Sequence, residues 1–400
     1  MDASRSSDAT RWPLILLIVG AGVVSAFQVG KAPTALAAVQ SDLGLDLATA
    51  SWLLSAFAIV GAVAGIGIGV AADHIGARRM AVGGLLLQGV CGLVGSFAAG
   101  APLLLATRVI EGIGFLAVSV AAPTLIVAVA RERDLGRAIA VWGTYMPVGI
   151  ALVMLGAPLL AAAGWRGFWL MNAAVLTGYA ALLAVGTRTI AINNAPHGSI
   201  ARDVRLVLGS GGPWLLAGLF AAFAAAFFAV FGFLPTILSD RLAVGSATAG
   251  VLAAIAVAVN ALGNIACGLL LTRGIRRPTI LVAAFGTMAL CGFGILGSGP
   301  AAVVSYALCV VFSAVGGLIP VALMDGAARH APRPELVAAT MGFLMQGNNV
   351  GLVLGPAATG MLVAAWGWSS VSFLIAAIVA VAGLLVFVLR SHPAEVVPSP

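Results

Sequence analysis

Residues 69–79 read GVAADHIGARR, a charged break with a long apolar run on either side. Glycines at 69 and 76 permit a tight turn. Asp73 is placed to meet nearby arginines or the positive N-terminal end of another helix. The same alternation of apolar run and short polar break extends outward through all 400 residues. The chain is 62% hydrophobic and only 8% charged, with a mean hydropathy of +1.13. Soluble domains carry roughly 25% charged residues, so a soluble core cannot absorb this composition and the bilayer must act as solvent. Alternating segments of about 10 residues, the mark of a membrane β-barrel, are missing. The expected class is an all-α polytopic membrane protein.

Twelve spans are expected, at residues 13–39, 50–72, 80–99, 102–128, 138–162, 168–187, 213–238, 247–271, 279–298, 301–325, 337–364 and 370–389. With the N-terminus inside, sixteen arginines fall in inside segments and two, Arg166 and Arg241, in outside segments. This asymmetry predicts a multi-pass protein of a bacterial-type inner membrane with both termini cytoplasmic. It also accounts for the pI near 10.1 without nucleic acid. Cys91, Cys267, Cys291 and Cys309 all lie in apolar runs and read as packing residues, not as a disulfide or metal framework. The first span is too long for a signal-peptide core, so no cleavable leader is expected.

The longest polar break, 187–212, divides six spans from six. It predicts an N-terminal half at 1–187, a cytoplasmic linker at 188–212 and a C-terminal half at 213–400. The halves echo each other: APTAL at 32–36 and LPTIL at 234–238, LGAP at 155–158 and VLGP at 353–356, AGWRGFW at 163–169 and WGWSSVSF at 366–373. A six-plus-six duplication is a mark of secondary transporters. Glycines at 61, 65 and 69 in span 2, and at 347, 351 and 355 in span 11, form GxxxG steps that let helices approach closely, whether for movement or for static packing. Pro158 and Pro356 are expected to bend spans 5 and 11.

Gly69 to Arg79 resembles the Gly-x-Leu-Ala-Asp-Arg-x-Gly-Arg-Arg signature of the major facilitator superfamily. Gly69, Asp73, Gly76 and Arg78 fall on pattern, whereas Ala71, His74 and Ala77 depart from it. A degenerate copy, GLLLTRGIRR, occupies 268–277. RVIEGIG at 108–114 resembles the family's Arg-x-x-Gln-Gly-x-Gly, with Glu111 in place of glutamine. The resemblance implies two pseudo-symmetric six-helix halves with a central cavity lined by spans 1 and 4. It also implies a conformational gate at Gly69, Asp73, Gly76, Arg78 and Arg79. FQVGKAP at 27–33 and WGTYMP at 142–147 resemble the branch that includes cyanate and nitroimidazole transporters.

Lys31 is the one lysine in the chain, and it stands inside an apolar run. A charge at mid-membrane costs roughly 2.5–3.5 kcal/mol on insertion scales. Lys31 lies about 12 Å from the outer end of its span. Arg108 and Glu111 share a helix face at a similar depth. Lys31 therefore snorkels, pairs structurally, or joins Arg108 in a cavity that attracts anions. Glu111 either neutralises Arg108 or takes up and releases a proton. Gln28, Trp52, Trp142, Tyr145, Gln346 and Asn349 are further candidates for substrate contact. Asp325 reads as a gate or interface residue, and the four histidines lie in polar segments.

The expectation is a proton-coupled secondary active transporter of a small anionic or electronegative solute, working as a monomer in the lipid bilayer. The alternative is a proton-coupled exporter of drugs or neutral metabolites. No phosphate-binding loop, metal-ligand cluster or nucleophile motif points to an enzyme, and no cofactor is expected.

Overall fold

The computed structural model describes residues 10–65, 75–190, 200–297, 301–333 and 336–391, and all regular structure among them is helical. Twelve helical spans are long and apolar enough to cross a membrane. Spans 1 to 6 are Trp12–Leu43, Leu47–Gly65, Ala77–Ser96, Ala101–Val129, Glu132–Leu155 and Ala157–Gly186. Spans 7 to 12 are Gly211–Leu242, Ser246–Thr272, Arg277–Leu296, Ala302–Ala327, Ala339–Trp366 and Ser370–Ser391. The faces of the bundle are named here by charge. One is arginine-rich and includes the start of span 1; the other is arginine-poor and includes the end of span 1.

The duplication is visible in the backbone. Six described residues have positive φ, and they fall into three pairs, one member in each half. Gly44 and Ala243 end spans 1 and 7, at φ 63° and 51°. Gly76 and Gly274, at 88° and 81°, precede spans 3 and 9. Gly164 and Gly367, at 68° and 73°, share ψ values of 173° and 176°. That last region is essentially restricted to glycine. The two arginines of the arginine-poor face occupy related places. Arg166 donates to the Ala98 carbonyl after span 3 (2.9 Å), and Arg241 donates to the Gly297 carbonyl after span 9 (2.8 Å). Arg166 is held by Asp42, which also accepts from Trp165 Nε1 at 2.9 Å. Asp46 caps span 2, and hydrogen bonds from the Thr49 hydroxyl and backbone N–H hold its carboxyl below the usual range.

Span 5 departs from the expected 138–162. Its helix breaks at Gly156, and Pro158 opens a new helical stretch instead of bending a continuous one. That stretch meets the remainder of span 6 at Gly164, where helical geometry is lost. Pro356 does lie inside its helix. The linker is more than a polar break, because Ile200–Leu208 is helical and Val207 packs with Leu336 and Phe343 of the C-terminal half. Its signal was Val204, Val207 and Leu208 on one face, with Arg202 and Arg205 on another.

Packing between the halves is uneven. One buried core includes residues of both halves, among them Leu53, Phe57 and Ile150 with Phe228, Leu234 and Leu352. It lies toward the arginine-poor face in the N-terminal half. Nearer the arginine-rich face, that half has a separate core around Ile18, Leu85, Leu125 and Trp142, with no member from the other half among the described residues. The GxxxG face of span 11 packs inside its own half: Gly347, Gly351 and Gly355 lie against the backbone of Ala217, Ala221 and Ala225 on span 7. In span 2, by contrast, Gly61 receives the Asn349 side chain from across the halves.

Candidate functional site

Span 4 places Arg108 and Glu111 one turn apart, and span 1 sets Lys31 opposite them. Glu111 spends both carboxylate oxygens: Oε1 accepts from Lys31 Nζ at 2.6 Å and Oε2 from Arg108 at 2.6 Å. All three side chains are at most 1% exposed. Removing such charges from water costs several kcal/mol per ion, offset only by close and well-satisfied geometry. That geometry is present. Arg108 Nε donates to the Leu53 carbonyl of span 2 at 2.9 Å. Its guanidinium lies 4.5 Å from the Phe57 ring centre, and the Lys31 ammonium lies 4.6 Å from that of Trp169. Each cation therefore has a carboxylate on one side and an aromatic face on another. The formal sum is +1.

The triad is sealed in the N-terminal half and does not stand in an open chamber. Arg108 alone among the three lines the small cleft between the halves, with Val29, Leu54 and Phe57 on one side and Phe228, Leu352 and Pro356 on the other. The cleft has room for no more than about one water. Next to Arg108, span 2 passes through a short 3₁₀ segment, Ala56–Ala58. Such a segment inside a helix often marks a hinge. Gly112 of span 4 lies directly against the Phe57 carbonyl, where a Cβ would collide. The triad, the 3₁₀ segment and the inter-half cleft are thus in direct contact.

The remaining candidates separate. Gln28 is fully buried one turn from Lys31 and is not part of the cleft. Trp52 is 38% exposed on span 2. Trp142 and Tyr145 stack on each other at 4.2 Å, against Gly22 of span 1, and Tyr145 pairs with Ser119 at 3.3 Å. Gln346 donates to the Ala62 carbonyl at 2.8 Å, joining span 11 to span 2, and Asn349 packs on Gly61. Those two amides therefore sit on the seam between the halves. Among the gate candidates, Gly69 and Asp73 lie outside the described residues. Gly76 takes its left-handed turn. Arg78 ties span 3 to the end of span 6 through the Ala184 carbonyl (2.6 Å) and Thr187 (3.2 Å), and Arg79 is exposed. Asp325 pairs with Arg277, linking spans 10 and 9. Sequence reasoning missed Phe57 and Trp169, whose rings lie against the two cations, and the buried Asn172 one turn from Trp169. The available signal was the three-residue spacing of Trp169 and Asn172 in an apolar run.

Residues 18–340 match the model of the Major Facilitator Superfamily. The chain belongs to the major facilitator superfamily. Within it, the chain is 30% identical over 265 residues to a chloramphenicol resistance protein of Streptomyces lividans, covering 64% of this chain and 65% of that one. It is 29% identical over 228 residues to the puromycin resistance protein pur8 of Streptomyces alboniger, covering 56% of this chain but only 44% of the other. The chain thus spans less than half the length of the puromycin protein. The fold matches a bacterial homolog of the human lysosomal transporter Spinster, solved in an inward-facing, occupied conformation. The TM-score is 0.78 at 17% identity, over 98% of this chain and all of that chain.

Proposed function

We propose that this major facilitator protein is a proton-driven secondary transporter that expels neutral or apolar organic molecules from the cytoplasm of a bacterial-type cell. One observation carries the reading: Lys31 and Arg108 are both paired to Glu111 inside the N-terminal half, and apart from Arg108 the inter-half cleft is lined by apolar and aromatic side chains. A lining of that character, opened when the halves move apart, suits an apolar solute. The relative named for resistance to chloramphenicol, a neutral molecule, supports export of such solutes, and the one named for puromycin resistance supports export of organic molecules more broadly.

In this proposal the triad is the coupling centre, not the substrate site. A proton on Glu111 removes the shared counter-charge of two cations. Arg108 then changes its hold on the Leu53 carbonyl and the Phe57 ring, beside the 3₁₀ segment of span 2. Span 2 touches span 11 through Ala62–Gln346 and Gly61–Asn349, so the change reaches the seam between the halves. A proton and a solute coupled to one two-state element exchange energy reciprocally. The arginine-rich face is the cytoplasmic one, by the positive-inside asymmetry. Gly76, Arg78 and Arg79 belong to the gate at that face, and the working unit is a monomer.

A second reading keeps an anionic solute. It is favoured by the net +1 of the triad and by Arg108 at the wall of the cleft. Transport of radiolabelled chloramphenicol, benzoate and tetraphenylphosphonium into inverted proteoliposomes under a pH gradient separates the two. Uphill chloramphenicol accumulation without benzoate accumulation supports the proposal. Benzoate accumulation alone overturns it in favour of the anion.

A further inference from the structure

We propose an internal water site between spans 1 and 6, formed by the side-chain amides of Gln28 and Asn172, that hydrates the Lys31 ammonium beside the Trp169 ring. Its role rests on Glu111 being the coupling group. Two contacts fix the register of these antiparallel spans. Near the arginine-rich face, Tyr179 lies against Gly20 and donates to the Leu17 carbonyl at 3.0 Å. Deeper in the membrane, Lys31 lies over the Trp169 ring. Stepping three residues from Lys31 to Gln28, and three from Trp169 to Asn172, moves the same distance toward the arginine-rich face. Gln28 and Asn172 therefore sit level with each other. Asn172, Tyr179 and Gly186 recur every seventh residue, and the last two both pack on Leu17 or its neighbour Gly20. Asn172 thus shares the face that span 6 turns toward span 1.

These facing amides do not bond each other. Both polar side-chain atoms of Gln28 are buried without a partner, as is Asn172 Oδ1; Trp169 Nε1, also without one, lies on the Gly95 and Thr107 side of the ring. Asn172 Nδ2 is used by its own helix, at the Phe168 carbonyl (2.8 Å). One turn further along span 1, Ser25 is satisfied by Gln88 at 3.0 Å, so the unmet demand is confined to the Lys31 level. Buried polar groups in native proteins find protein or water partners. A bound water typically makes about 3 hydrogen bonds, and this set offers both donors and acceptors. An ammonium has three donors; Glu111 takes one and the Trp169 face another direction. The titratable groups that act electrostatically on Lys31 are Glu111, Arg108 and the thiol of Cys91. When Glu111 accepts a proton, none of these supplies a carboxylate, and the water keeps the ammonium solvated. None of Gln28, Asn172 or Trp169 lines the inter-half cleft, so the site is separate from the solute path.

X-ray hydroxyl-radical footprinting of the full-length protein tests this, because radicals generated from bound water oxidise buried side chains beside it. Trp169 is fully buried, yet its oxidation in the wild type is expected, falling at least ~5-fold in Gln28→Leu/Asn172→Leu as the partners of the water are lost. The single variant Gln28→Met serves if the double variant does not fold. An unoxidised wild-type Trp169, or oxidation unchanged in the variants, overturns the site. Loss of oxidation with undiminished proton-driven chloramphenicol transport overturns its role. Footprinting uses neither solute nor gradient, so its result is independent of whether the transport proposal stands.

Discussion

At the scale of single residues, the triad is a problem of charge balance. Neutralising Glu111 leaves two buried cations, whereas neutralising Lys31 leaves an intact Arg108–Glu111 pair. Glu111→Gln is therefore expected to lower stability by about 3–5 kcal/mol, the usual cost of removing one partner from a buried ionic network. Lys31→Met should cost much less. Adding Lys31→Met to Glu111→Gln should recover about 1–3 kcal/mol, a coupling typical of residues in one network. Denaturation midpoints of the four proteins check this order. A double variant less stable than Glu111→Gln alone would contradict it. The charge of Lys31 was legible as anomalous in the sequence, because one ammonium in an apolar run stands out. Which side of span 1 it occupied was not. Gln28 and Lys31 share one helix face, but the sequence does not say that the face meets Trp169 and Asn172 and not the cleft.

At the scale of elements, the three pairs of left-handed residues make comparisons across the halves. Ala243 stands where its counterpart is Gly44. A non-glycine residue there carries roughly 1–2 kcal/mol of backbone strain, so Ala243→Gly should stabilise by about 1 kcal/mol after its entropic cost. Gly164→Ala and Gly367→Ala should each cost about 1–3 kcal/mol, by similar amounts, because they share one glycine-specific conformation. Chemical unfolding checks both; a neutral Gly367→Ala would break the equivalence. The span count and the placement of apolar runs were readable because hydropathy and length are local properties. The break at Gly156 was not, because a glycine followed by Ala157 and Pro158 is compatible with either a bend or a restart. The glycine ladder of span 11 was readable as a close-packing face, but its partner, span 7 of the same half, is set by tertiary structure.

At the scale of the molecule, the core shared by both halves and the separate core of the N-terminal half toward the arginine-rich face describe halves that, among the described residues, pack more extensively at the arginine-poor side. Rocking of one half against the other would open that side and close the arginine-rich side. Spin labels at Arg79→Cys and Arg329→Cys, both exposed and in opposite halves, should move closer on acidification if protons drive this exchange. Labels at Ser41→Cys and Ser246→Cys, exposed at the arginine-poor side, should separate under the same conditions. Electron–electron distance measurements read both pairs; parallel changes at the two faces would contradict rocking. The central claim is that Glu111 joins proton movement to these states. Its most direct test compares wild type and Glu111→Gln in proteoliposomes, measuring chloramphenicol accumulation driven by a pH gradient beside gradient-free exchange. The account predicts that driven accumulation disappears in Glu111→Gln while exchange survives. Accumulation at the wild-type level in Glu111→Gln would contradict it.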